Sequence, residues 1–329
     1  VIHKTGISEG EEMGTIIVAK DGSGDCNTVQ EALDRAMPGD LIQVRNGVYK
    51  ERIESRCGGI TIEGEDKEKT IITEGYYAEM IMEDGSKRGT FRSYTALFNH
   101  DGIAVRNVTI ENSAGFGTKV GQAIAVYAEG DGISFEDCRI LGHQDTLFTG
   151  PLPFKEKIPG GFTGPTQFAT RRIGRQSYER CYICGEVDFI FGSAIAYFHD
   201  CELYALNRDM EVNAFYTAPS TYEGSRYGYV FDSCRFTGNC PKGTVYLGRP
   251  WREYARAVFI NCDIDEGVNA AGFDDWNKAD AHDKMFFAEY GCKGAGSSRS
   301  ARAAFSHELS EEEAAEYTRG RVLAQVSND

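Results

Sequence analysis

The sequence holds no run of about 18 apolar residues, so no helical membrane span is expected. Proline is scarce, at 8 of 329 residues, which excludes a proline-rich linker protein. Positive charge is in deficit: 35 Lys and Arg stand against 50 Asp and Glu, a formal net charge of −15. A nucleic-acid partner is therefore not expected, because phosphate binding needs a basic surface. An anionic substrate is not excluded, since it responds to local rather than net charge. Hairpin signals such as Asn-Gly between alternating runs are largely missing, which disfavours an antiparallel sandwich. There is no G-x-S-x-G, none of the six histidines has a triad context, and no HExxH or Ca²⁺-loop pattern occurs.

Hydrophobic residues make up 41% of the chain, enough for a sizeable core, and 38 glycines suit many tight turns. The ten cysteines suggest disulfides at first, but a chain of this length does not need them. Cys181-Tyr-Ile-Cys184 has no second CxxC to complete a zinc site. No metal or cofactor is expected. The cysteines read as buried free thiols acting as small hydrophobes.

A short pattern recurs: an aromatic or apolar residue, two residues, Cys, one residue, an apolar residue. It places Cys138, Cys181, Cys201, Cys234 and Cys262 in equivalent positions, with Val108 as a relative without cysteine. The steps of 30, 43, 20, 33 and 28 residues hold alternating strands and Gly/Asp/Asn turns, among them Gly121–Tyr127 and Ile195–Phe198. This predicts a coiled parallel sheet with variable loops, in which like residues stack about 4.8 Å apart. The cysteines then form an internal ladder. Thr28-Val-Gln-Glu31 opens a helix over Val29–Met37, stopped by Pro38-Gly39, and Ser310-Glu-Glu-Glu313 opens another over about 310–318. Short helices at both ends would cap the open edges of such a solenoid. Residues 1–14 read as a tail or vector-derived remnant and 15–329 as one domain.

The 43-residue step contains an insertion, Gly150–Arg175, with four of the eight prolines. It carries Lys155, Lys157, Arg171, Arg172 and Arg175 against Glu156 alone. A basic lip that attracts a polyanion is the expectation, against an ordinary solvated loop.

Asp145 and Asp188 each lie seven residues after their cysteine, Cys138 and Cys181. On neighbouring rungs, two carboxylates cannot share one environment without raising one pKa. That split supplies an ionised nucleophile and a protonated acid at one pH. Arg249, on a later rung, would favour ionised Asp188. Gln122 and Gln144 bring amide donors that suit a developing oxyanion. Trp251, Tyr127, Phe189 and Phe191 offer flat surfaces for sugar rings, and His143 is a supporting residue at most.

The segments Gly47-Val-Tyr-Lys-Glu51, Gly121-Gln-Ala-Ile-Ala125, Gln144-Asp-Thr-Leu147, Asp188-Phe-Ile-Phe-Gly192 and Leu247-Gly-Arg-Pro-Trp251 resemble the signature blocks of pectin methylesterases, in order. Val18-Ala-Lys-Asp-Gly-Ser-Gly24 and Ala288-Glu-Tyr290 fit too, and the similarity spans roughly residues 15–320. The resemblance implies an all-β, right-handed parallel β-helix and hydrolysis of galacturonate methyl esters in pectin. It implies Asp188 as nucleophile, Asp145 as acid/base, Gln122 and Gln144 as oxyanion donors, Arg249 as the holder of Asp188 and Trp251 as a sugar platform. Thr90, in Gly89-Thr-Phe-Arg-Ser93, matches a substrate contact. The partner expected is pectin, and the chain is expected to be a monomer. The family usually works outside the cell, whereas unpaired cysteines and a polar, acidic Val1–Gly14 unlike a leader fit a reducing interior. A retaining glycosidase on a similar solenoid stays open, because stacked carboxylates share its spacing of about 5–5.5 Å. An inactive carbohydrate-binding solenoid is the reading from another class.

Overall fold

The computed structural model describes residues 14–324. The predicted tail therefore lies, but for Gly14, outside the described residues. Short strands follow one another through three parallel sheets of eleven, eight and seven strands, and each complete coil gives one strand to each sheet. One complete coil runs through Ile133–Glu136, Arg139–Leu141 and Leu147–Thr149; the next runs through Arg175–Glu179, Tyr182–Gly185 and Ile190–Gly192. Every pairing between named strands is parallel and consecutive in the coil, which makes a right-handed parallel β-helix.

The repeat is a turn as much as a strand. The residue before each ladder position is left-handed: Asn107, Asp137, Arg180, Asp200, Ser233, Asn261 and Gly291 have φ between 49° and 63°. A single left-handed residue bends the chain from the first sheet into the second. Asn, Asp and Gly take this conformation cheaply, whereas Arg180 and Ser233 take it at a cost.

Behind that turn each thiol reaches back one coil. Sγ donates to the carbonyl of Val105 from Cys138 (3.4 Å), of Phe135 from Cys181 (3.6 Å), of Tyr178 from Cys201 (3.4 Å), of Phe198 from Cys234 (3.4 Å) and of Phe231 from Cys262 (3.4 Å). Cys292 continues the ladder onto Phe259, a rung the sequence pattern did not reach. All ten cysteines are free. Beside the thiols the rings of Phe135, Tyr178, Phe198, Phe231 and Phe259 stack at 4.5–5.2 Å, within 15° of parallel. Such pairs add about 0.5–1.5 kcal/mol each beyond their burial.

The helix at the N-terminal end spans Val29–Arg35 and has the predicted capping box, with Glu31 N donating to Thr28 Oγ1. It stops two residues before Met37, because Ala36 is already extended. The C-terminal capping box at Ser310 also forms, but three short pieces follow, Glu311–Ala314, Ala315–Tyr317 and Arg319–Val322. In Gly121–Tyr127 only the last two residues belong to a strand, Val126–Ala128, and that strand is wholly buried. Its apparent alternation was not a half-exposed strand. No helix among the described residues is long and apolar enough to cross a membrane.

Candidate active site

Asp145 and Asp188 stand in register. The strands before them pair Leu141 with Cys184, the strands after them pair Leu147 with Ile190, and Asp145 N donates to Val187 O at 3.1 Å. Both aspartates are left-handed, with φ 63° and 52°, at the turn from the second sheet into the third. Two equivalent turns thus aim two carboxylates out of adjacent coils. Both residues are buried, at 8% and 7% exposure.

Arg249 follows the strand Val245–Gly248 two coils further on. Its Nε donates to Asp188 Oδ1 and its Nη2 to Asp188 Oδ2, each at 2.7 Å. The guanidinium lies between two rings, 3.8 Å from the centroid of Phe215 and 3.8 Å from that of Trp276. Burial pushes the Asp188 carboxyl up, while the charge and hydrogen bonds of Arg249 pull it back. Burial pushes Asp145 well up, the Asp188 charge adds to it, and Arg249 only partly relieves it. The pair therefore splits: Asp188 ionises first and Asp145 keeps its proton longer.

A cleft of about 370 Å³ opens over the pair. Gln122, Gln144, Thr90, Phe191 and Trp251 all line it, as expected. Gln144 is seated by a close approach: a Cβ on Gly117 would fall 2.5 Å from Gln144 Oε1. Trp251 packs against Phe91 and Phe191 and is only partly buried. Phe191, 4% exposed, offers little more than an edge.

Tyr127 is a correction. It is fully buried in an aromatic cluster, and its hydroxyl meets Thr166 Oγ1 at 2.6 Å. It anchors the insertion and gives no surface to a sugar. Phe189, named with it, is also core. Three residues escaped the sequence reading. Trp276 and Phe215 clamp Arg249; Trp276 is one of only two tryptophans, a signal that was available. Glu186, fully buried, meets His143 Nδ1 at 2.6 Å and accepts from Gly117 N at 3.3 Å, bracing the turn that carries Gln144.

The insertion departs from a free basic lip. Arg172 pairs with Asp101 at 2.5 Å, Arg175 Nε donates to Asp131 at 2.7 Å, and Arg171 donates to the carbonyls of Thr166, Gln167 and Ala169. Three of its five cations are thus spent on anchoring it. Lys155 and Lys157 remain, and of these Lys157 lines the cleft wall. A larger groove, about 900 Å³, crosses the outer face of the eleven-stranded sheet. Several of its charged residues are already paired, as in Arg180 with Glu136 and Asp137. No group of three or more metal-ligating side chains occurs among the described residues.

Comparison with known proteins gives one answer. The pectinesterase family profile matches residues 15–152 and 168–326. The chain is similar to pectinesterase 31 of Arabidopsis thaliana, 32% identical over 91% of this chain and 89% of the relative. It spans about half the length of some other curated relatives, 51% and 48% of two named pectinesterase/pectinesterase inhibitor. Among solved structures it is similar to the pectin methylesterase from carrot, with a TM-score of 0.80, 29% identity, and coverage of 96% of this chain and 95% of that one. It is also similar to a pectin methylesterase mutant in complex with a hexasaccharide, with a TM-score of 0.78, 26% identity, and coverage of 97% and 99%.

Proposed function

The chain belongs to the pectinesterase family, and from that premise we propose how its cleft works on pectin. It is a carboxylic ester hydrolase that removes methyl groups from pectin. The observation that carries the residue roles is the unequal treatment of two stacked carboxylates: Arg249 grips Asp188 and leaves Asp145 without a cation of its own.

Ionised Asp188 attacks the C6 carbonyl carbon of a methyl-esterified galacturonate. The carbonyl π pair moves onto oxygen, and the amides of Gln122 and Gln144 stabilise that oxyanion. The tetrahedral intermediate collapses, and the departing methoxide takes the proton of Asp145 and leaves as methanol. An acyl anhydride on Asp188 remains. Asp145, now a carboxylate, takes a proton from water as the water oxygen attacks the acyl carbon. Collapse restores Asp188, leaves Asp145 protonated and frees the product carboxyl, which gives the second proton of the water to solvent and becomes the galacturonate carboxylate. Trp251 supports a sugar ring, and Thr90 and Phe191 border the same face.

The test follows methanol and new reducing ends together on methyl-esterified pectin. Methanol without reducing ends is expected. Reducing ends without methanol would overturn the ester mechanism in favour of a glycosidase. Asp188→Ala and Asp145→Ala should each lose most of the methanol signal.

A further inference from the structure

One wall of the cleft comes from residues outside the family match. The match leaves 153–167 uncovered, and Glu156, Lys157, Ile158, Gly161 and Phe162 from that stretch line the cleft. The wall is anchored. Phe162 packs edge-on to Phe91 at 5.8 Å, Thr166 donates to half-buried Glu129 at 2.6 Å, and Arg252 Nη2 donates to Lys155 O at 3.3 Å.

Positive charge collects there without carboxylate partners. Arg252 lines the cleft over the Trp251 ring, 4.8 Å from its centroid. Lys278 lies behind it, 4.4 Å from the Trp276 ring centroid, and donates to Pro250 O at 2.7 Å. Among the described residues no carboxylate lies within 4.0 Å of the charged nitrogens of Lys157, Arg252 or Lys278. Glu156 is turned to its own loop, accepting from Gly160 N at 3.1 Å and Phe162 N at 3.3 Å. Burial, then the charges of Lys157 and Arg249, bring Lys278 down to about 8; Glu253 opposes this and Arg252 adds to it. In a chain of net charge −15, this is a local field suited to an anion.

We propose that Lys157 and Arg252 form a subsite for a free galacturonate carboxylate flanking the ester under attack, with Lys278 reinforcing the field from behind. A methyl ester is neutral and offers these cations little. A carboxylate offers a charge-assisted hydrogen bond. The protein then favours pectin that is already partly de-esterified, so a preceding methyl-ester hydrolysis supplies its preferred substrate. This rests on the pectin reading given above.

The test is a binding measurement that needs no turnover. Unesterified hexagalacturonate is titrated calorimetrically into the wild-type protein, Lys157→Gln and Arg252→Gln at about 50 mM and about 500 mM salt. Each variant should bind about three- to tenfold more weakly at low salt, and the difference should shrink at high salt. Equal affinity of all three proteins for the free acid, or no binding by the wild type, overturns the subsite. Absence of methanol from every pectin would instead overturn the esterase reading, and the titration would still decide the subsite.

Discussion

Arg249 holds Asp188 by both carboxylate oxygens at 2.7 Å, while Phe215 and Trp276 cover the two faces of its guanidinium. The planar fork and the planar stack are two uses of one shape, which an ammonium does not have. Removing the fork should free Asp188 to feel its burial. In Arg249→Lys, the Asp188 carboxyl rises further, so the acidic limb of the kcat/KM profile moves to higher pH. Activity at pH 6 should fall by about 10- to 100-fold. A pH–rate profile with an unmoved acidic limb would refute the assignment.

Trp276→Ala removes one of the two rings from that clamp. A desolvated cation–π contact is worth about 1–2 kcal/mol, so kcat/KM should drop roughly 5- to 30-fold. Trp276→Phe should recover most of it, because a ring still covers the face. Methanol release by the two variants checks this.

Asp145 separates activity from stability. Asp145→Asn cannot carry the proton and should lose about 10²–10⁴ in kcat. The folded-state pKa of Asp145 is raised well above its unfolded value. Its contribution to stability is therefore full below about pH 4 and is lost as pH rises through the folded pKa. The variant does not pay that loss, so its melting temperature should gain on the wild type from pH 4 towards pH 8. Melting curves across that range would show a constant gap if the carboxyl were unperturbed.

The left-handed turns predict a surface substitution that stabilises. Ser233 has φ 56° directly before Cys234, in a place where Asn107 and Asn261 serve other coils. Ser233→Asn should raise stability by about 0.5–1 kcal/mol, read as a higher urea midpoint with unchanged slope. The loss of the Ser233 hydroxyl contact to Asp232 Oδ1 at 2.9 Å is exposed and small.

The thiol ladder predicts a count. Denatured protein titrated with a thiol reagent should give ten free thiols without reductant, because all ten cysteines are free and each Sγ of the ladder donates to a carbonyl. Fewer than ten would mean that some cysteines pair.

The coil, the ladder and the register of Asp145 with Asp188 were determined by the sequence alone. A parallel stack repeats its residue types at each level, and that repetition is a one-dimensional signal. Thr28 and Ser310 announced their helices because capping is local. Where the helices stop was less legible: Ala36 turns extended before Met37, and tertiary packing breaks the 310–318 stretch. Tyr127 and Trp251 could not be told apart by residue type. Burial decides between them, and burial depends on what crosses above. Here the crossing element is the insertion, whose Thr166 closes over Tyr127 while Trp251 keeps an open edge. The clamp of Phe215 and Trp276 on Arg249, and the brace of Glu186 under His143, join residues 34, 27 and 43 positions apart. Only the folded coil brings them together, because the loops between rungs vary in length and hide their spacing from any linear pattern.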